Sequence, residues 1–152
     1  MDRQPVLEGE RLLLRPLEPD DWNALYAVAS DPDVWALHPA HDRWQEPVFR
    51  AFFDNALANQ GALAVIEKAS GEIVGSSRFQ GYVPDDANAL GGLVEIGWSF
   101  LARRLWGKGY NAEMKRLMLE HAFRFVGRVV FRVGAQNAIS RGGCGAGGST
   151  PR

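Results

Sequence analysis

The sequence predicts an α+β fold, a central mixed and mostly antiparallel sheet flanked by helices. Three observations lead there. Apolar residues alternate in some segments and recur every three or four positions in others, the strand and helix periods respectively. Two helical stripes follow one another early in the chain, and three strand-like segments then run in succession. A third helical stripe separates the last two strands, as a crossover connection would.

The element order is β-αα-βββ-α-β, without an internal repeat. RLLLRPL, 11–17, reads as an edge-like strand, because Pro16 has no N–H for a ladder. EPDDWNALYAVAS follows, with acidic residues suited to a helix N-terminus and Trp22, Leu25, Tyr26 and Ala29 at helical spacing. Beyond the loop DPDVWALHPAHDRW, Phe49, Phe52, Phe53, Ala56 and Leu57 form one stripe of a second helix, with Pro47 suited to its first turn. ALAVIE at 62–67 and EIVGSSRFQGYV at 72–83 form a hairpin, Gly71 supplying the turn geometry. LVEIGWSFL at 93–101 alternates, with Val94, Ile96, Trp98 and Phe100 on one face and Glu95, Gly97 and Ser99 on the other. From 109 to about 126, Met114, Leu117, Met118, His121, Ala122 and Phe125 line one side of a helix. Glu113, Lys115, Arg116, Glu120 and Arg124 take the opposite side. RVVFRVG, 128–134, is the next strand.

A chain of 152 residues with 46% hydrophobic content suits one globular domain with a sizeable core. Its 17 Lys plus Arg balance 18 Asp plus Glu, so no global field draws it to nucleic acid or an anionic membrane. Any anion site must be local. MDRQPVLEGER lacks the apolar run of a signal peptide, and no apolar stretch is long enough to span a bilayer, so a cytoplasmic protein is expected. Cys144, the single cysteine, forms no internal disulfide and lies in a glycine-rich setting that does not suit a nucleophile.

RRLWGKGYNAE, 103–113, lies between a strand and the first turn of a helix, with Gly107 and Gly109 one residue apart. A helix start presents unpaired N–H groups and a positive dipole end, and glycines let an anion reach main-chain nitrogens unobstructed. Arg103, Arg104 and Lys108 add positive charge. The bland alternative is a tight strand-to-helix turn that needs unusual dihedrals and nothing more. Two nucleotide motifs fail on spacing: GKGYNAE has no third glycine of GxGxxG, and no Ser or Thr follows the lysine as a Walker loop requires.

The segment does match Arg/Gln-x-x-Gly-x-Gly/Ala, here Arg104-Leu-Trp-Gly107-Lys-Gly109. It resembles the pyrophosphate-binding signature of the GNAT superfamily of acyl-CoA-dependent N-acyltransferases. GERLLLRPLEPDDWNALYAVASDPDV is similar to the opening of the ribosomal-protein N-terminal acetyltransferase branch, and VEIGWSFLARRLWGKGYNAEMKRLML to its central strand, loop and helix. The resemblance runs from residue 7 to about 140. It implies acetyl-CoA as cosubstrate. It implies a bulge near Trp98, Phe100 and Leu101, a strand splayed from that at 128–134, and the pantetheine arm in the resulting cleft. Main-chain N–H groups from Arg104 through Tyr110 would hold the pyrophosphate, so Arg103, Arg104, Trp106, Gly107, Lys108, Gly109 and Tyr110 form the expected cofactor loop. Asn137, beyond the fifth strand, would touch the pantetheine, and Ser140 and Arg141 match the start of the family's next helix.

The implied chemistry needs a neutral amine to attack a thioester, an acceptor for its proton, donors for the oxyanion and a proton for the departing thiolate. Glu95 is the candidate catalytic base, since it shares a strand face with Gly97 and Ser99. A substrate contact or a structural ion pair are its other readings. The oxyanion donor would be a strand N–H near Phe100, and the family's thiolate-protonating tyrosine falls in a segment with no counterpart here.

Other residues read more plainly. His38 and His41 flank Pro39 without a ligand set and predict no metal. His121, on the apolar stripe, reads as a satisfied core histidine. Trp35, Trp44, Phe49 and Phe53 wall an acceptor pocket or simply pack the core. Ser77 and Arg78 have no spacing that identifies a nucleophile.

After Asn137 the pattern stops. AISRGGCGAGGSTPR holds five glycines beyond Arg141 and no apolar period, so neither helix nor core strand is expected there. The expected organisation is an incomplete GNAT-like domain over 1–140, lacking the final helix and two strands, and an irregular glycine-rich tail over 141–152. The abrupt change resembles translation in a shifted frame of GC-rich DNA, with a natural short form as the alternative. The strand at 128–134 would then be an unprotected edge whose Val129, Val130, Phe131 and Val133 invite a homodimer. The function expected is transfer of an acetyl group from acetyl-CoA to a primary amine of a peptide N-terminus or small molecule. The alternatives are a non-catalytic acyl-CoA-binding or interaction fragment with an incomplete active site, and a structural partner whose sheet edge another chain completes.

Overall fold

A computed structural model of the chain describes residues 1–36, 41–84, 91–133 and 136–141, the backbone alone at 132–133 and 136–141. Seven strands among them form one sheet in chain order: β1 (Leu7–Glu8), β2 (Leu12–Pro16), β3 (Ala62–Glu67), β4 (Glu72–Val83), β5 (Leu93–Leu101), β6 (Arg128–Val133) and β7 (Gln136–Arg141). Neighbours pair antiparallel except β5 and β6, which run parallel. That parallel pair needs a crossover, and α3 (Tyr110–Ala122) supplies it. α1 (Trp22–Ala29) and α2 (Glu46–Asn59) occupy the connection from β2 to β3.

The alternation of β3 shows how the layers form. Leu63 and Val65 pack with Met114, Leu117 and Met118 of α3, whereas Ala62 and Ala64 pack with Leu25 of α1 and Phe49 and Phe53 of α2. The sheet therefore carries α3 on one face and α1 with α2 on the other. Phe49, Phe53 and Trp35 are at most 1% exposed, and each such side chain contributes roughly 1.5–3 kcal/mol by burial. The fold class and the αα, βββ and crossover segments stand as expected.

Several expectations are corrected. β1 lies beyond β2, so the strand near 11–17 is internal; β1 opposes just Leu13 and Leu14, leaving Pro16 clear of a ladder on that side. The single-face alternation of β5 breaks in the middle. Val94 and Ile96 belong to the α3 core, but Phe100 belongs to the α2 core. Between the pairs Gly97–Arg78 and Phe100–Ser76, β5 gains one residue on β4, and Trp98 takes φ +53°, a bulge that turns the strand over. Glu113, expected on the solvent side of α3, is 6% exposed, and Phe125 lies past the end of the helix and is 44% exposed.

The strand at 128–134 is not an unprotected edge. β7 pairs antiparallel along all of β6, from Val133–Gln136 to Arg128–Arg141. Backbone N–H and C=O groups pair without any demand for apolar periodicity, and a short local hairpin closes at little entropic cost. The edge of the sheet thus moves to β7, and Asn137, Ser140 and Arg141 stand within a strand. The remaining tail, 142–152, lies outside the described residues, as does His38. No helix among the described residues is long and apolar enough to cross a membrane.

Candidate active site

β5 and β6 stay paired from Leu93–Arg128 to Ile96–Phe131, and β5 then continues to Leu101 without a β6 partner. The strands part there, and the bulge at Trp98 marks the point of departure. Beyond Leu101 a short turn, Arg103–Leu105, leads through Trp106 to Gly107 at φ +74° and Gly109 at φ +87°, and α3 begins. A cavity of about 350 Å³ lies between the two, lined by Val34, Ser99, Phe100, Leu101, Trp106, Gly107 and Asn111.

The positive φ at Gly107 suits glycine, and a Cβ built there would meet nothing within 4 Å. The loop therefore faces open space with a bare backbone. Glu113 is the first residue of α3 whose N–H closes onto the chain, at the Gly109 carbonyl 3.1 Å away. The N–H groups before it are the unpaired donors of a helix start, where the dipole favours an anion. The Trp106 indole N–H donates to the Leu101 carbonyl at 3.0 Å and ties the loop to the strand end. Splayed strand, open glycine and free helix donors suit an extended ligand that carries an anion.

What holds the loop is a pair of residues to which sequence reasoning gave no role. Arg11 Nη1 donates to the Lys108 carbonyl at 2.9 Å, and Arg11 Nε to Glu113 Oε1 at 3.0 Å. Glu113 Oε2 accepts the main-chain N–H groups of Arg11 and Leu12 at 2.9 and 3.0 Å. The guanidinium also lies 4.3 Å from the Tyr110 ring centre. Burial alone would raise the Glu113 carboxyl, but these hydrogen bonds outweigh it and hold the group below the usual glutamate range. The signal was present: Glu113 stands four residues before Leu117, at the margin of the apolar stripe.

The other expected loop residues divide. Arg103 pairs with Asp31 and Asp33, and Arg104 with Glu67 at 2.9 Å and Glu72 at 3.4 Å. Both line a separate cleft of about 940 Å³ beside α1, with Arg15, Asp31 and Glu72, and neither lines the cavity at Gly107. Lys108 is exposed and forms no ion pair among the described residues. The Tyr110 hydroxyl lies 3.4 Å from Glu67.

Glu95 is half-buried in β5, opposite Gln80 of β4 and Val130 of β6, with Oε1 4.0 Å from where a Gly81 Cβ would stand. It does not line the cavity at Gly107. Ser77 and Ser99 share a hydroxyl hydrogen bond of 2.7 Å at the bulge. Trp98 is half-buried there against the α2 core. Asn137 stands in β7 opposite Arg132. His121 lies 2.7 Å from the Asp2 carbonyl and packs on Phe79 and Phe125, as a core histidine should. Trp35, Phe49 and Phe53 are core; Trp44 is 38% exposed.

Known proteins are similar to this chain in sequence and in fold. The chain is 31% identical over 123 residues to a Bacillus licheniformis protein named uncharacterized N-acetyltransferase p20, covering 78% of this chain and 66% of that protein. It is 29% identical over 125 residues to the uncharacterized N-acetyltransferase YnaD of Bacillus subtilis strain 168, covering 76% and 64%. The chain thus spans about two thirds of the length of these relatives. A GNAT-family acetyltransferase from Bacillus anthracis superposes with a TM-score of 0.66 at 23% identity, over 84% of this chain and 72% of that one. A GCN5-related N-acetyltransferase from Brucella melitensis gives 0.65 at 22% identity, over 84% and 59%. These two structures share the fold. Residues 11–144 match the family model described as acetyltransferase (GNAT) domain, and the chain belongs to that family.

Proposed function

We propose that the chain is an N-acetyltransferase that moves an acetyl group from acetyl-CoA to a primary amine of a peptide N-terminus or a small molecule. The observation that carries this reading is the parting of β5 from β6 after Ile96, directly beside the open, unpaired start of α3 at Gly107. The bound thioester supplies the electrophile. Gly107, Gly109 and the N–H groups that open α3 hold the pyrophosphate, and the free edge of β5 aligns the pantetheine as a partner strand would. A main-chain N–H near Phe100 stabilises the oxyanion. The amine nitrogen bonds to the acyl carbon, the carbon–sulfur bond breaks, the amine proton leaves by way of Glu95 through water, and CoA departs as a thiolate that takes a proton from solvent.

Titration calorimetry with CoA and with dephosphorylated pantetheine, followed by thiol release from acetyl-CoA over an amine panel, tests the reading. CoA should bind well above pantetheine, and at least one amine should release thiol. Equal binding of both ligands removes the pyrophosphate cradle. CoA binding without thiol release supports a non-catalytic acyl-CoA-binding protein instead. Glu95→Gln should lower kcat by roughly 100-fold with CoA affinity little changed. Unchanged turnover would make Glu95 a substrate contact.

A further inference from the structure

Two arginines at the bulge side of the sheet form no ion pair among the described residues. Arg78 of β4 is 1% exposed, and its Nη1 donates to Asn55 Oδ1 of α2 at 2.8 Å. Its Nη2 is buried and bonded to nothing, and so is Nη1 of Arg43. Both guanidinium groups lie on the Phe52 ring, 4.6 Å from its centre for Arg43 and 5.2 Å for Arg78. Arg78 also lies 4.8 Å from the Trp98 ring centre, and Arg43 5.5 Å from that of Trp35. No carboxylate of the described residues forms an ion pair with either. Asp42, an exposed neighbour in the chain, acts on Arg43 through space.

Such a pair is costly as mere packing. Contacts with aromatic faces recover less than the loss of water around a buried, unpaired cation, and a second cation nearby adds repulsion. Burial first, and then the Arg43 charge, push the Arg78 guanidinium down to about 10. Each arginine keeps one buried N–H without a partner, Arg78 from β4 and Arg43 from the turn before α2, and both guanidinium groups lie against the same Phe52 ring; two such donors suit the two oxygens of a carboxylate. The aromatic walls of Trp35, Phe52 and Trp98 suit that flat monoanion better than a heavily hydrated phosphate. Trp98 connects this place to the reaction, since its neighbours Ser99 and Phe100 line the cavity beside Gly107.

We infer that Arg43 and Arg78 form a carboxylate receptor, so that the preferred acceptor is an amine carrying a carboxylate. This rests on the acetyltransferase reading for the word acceptor, but not for the anion site itself. The two are separated by a binding measurement that needs no turnover. N-acetylglycine is the probe, with N-acetylglycinamide as its neutral match, at constant ionic strength in thermal melts.

The acid should raise the melting temperature at concentrations where the amide does not. Arg43→Gln, at a half-exposed position, should weaken the acid's effect at least tenfold. Arg78→Lys keeps the charge but loses the fork and should do the same. No shift by the acid, equal shifts by acid and amide, or full retention in both variants would overturn the inference. In the activity arm, kcat/KM for amino acids relative to their amides should fall about 30-fold in Arg43→Gln, with the KM for acetyl-CoA unmoved. An unchanged ratio counts against the receptor. If no amine is acetylated but the acid still binds through Arg43, the anion site stands and the acetyltransferase reading falls.

Discussion

Arg103 and Arg104 stand half-exposed against Asp31, Asp33, Glu67 and Glu72, whereas Arg43 and Arg78 pack on aromatic rings and form no ion pair among the described residues. The first pair sits in the phosphate-loop signature, where basic residues look functional. Its charge is already spent on neighbouring acids. The second pair sits in segments without a recognisable motif, and two of its buried N–H groups have no partner. The lesson is that a cation's availability depends on its neighbours in space, and a cluster of basic letters does not make a field. At the loop, the capacity for an anion resides in bare backbone and a helix start.

If that contrast holds, the largest effect at the loop should come from the glycine. Gly107→Val forces a branched side chain into φ +74° and fills the open space with carbon. CoA affinity should drop about 100-fold, or ~2.7 kcal/mol, by titration calorimetry. Folding should lose only about 1 kcal/mol to backbone strain. Comparable losses in both would mean that the glycine serves the turn alone.

Next in size is the brace that holds the loop. Glu113→Ala removes the acceptor of the Arg11 and Leu12 N–H groups, leaving the latter buried without a partner. Stability should fall by about 2 kcal/mol, read as a melting point lower by about 4–8 °C. A neutral result would mean that β2 holds the loop without this carboxylate.

The arginines of the signature should matter less than either. Arg103→Gln with Arg104→Gln should weaken CoA binding less than about threefold, because half-exposed ion pairs already occupy both side chains. A tenfold loss would show that these cations turn from their acids to the ligand.

The smallest effect is the acid dependence of the braces. Burial would raise the Asp21 carboxyl, but hydrogen bonds from Arg15 and the Glu18 N–H hold it below its ordinary value, as Glu113 is held. Both native values are lowered, so this stability is complete above the unfolded carboxyl range near about pH 4. It is lost as pH falls through the native values. Melting of Asp21→Asn with Glu113→Gln should show a shallower decline from pH 5 downward than the unaltered chain. Parallel curves would show that neither group is linked to folding.

Local pattern determined much of this protein. The Phe49, Phe52, Phe53 and Ala56 stripe made α2 legible, the alternation of 62–67 and 72–83 made the hairpin, and Gly107 with Gly109 marked the bare loop. These features depend on residues a few positions apart, which sequence periodicity reports directly. The tertiary structure decided what periodicity cannot express. One extra residue at Trp98 reverses the face of β5, and a backbone ladder with no apolar signature makes β7 the outer strand. The brace of the loop joins Arg11 to Glu113, 102 positions apart. Which acid meets which arginine, and which arginine meets none, is likewise set by how β4, α2 and the turn at Arg103 come together, because charges interact through space over a few ångströms and not along the chain.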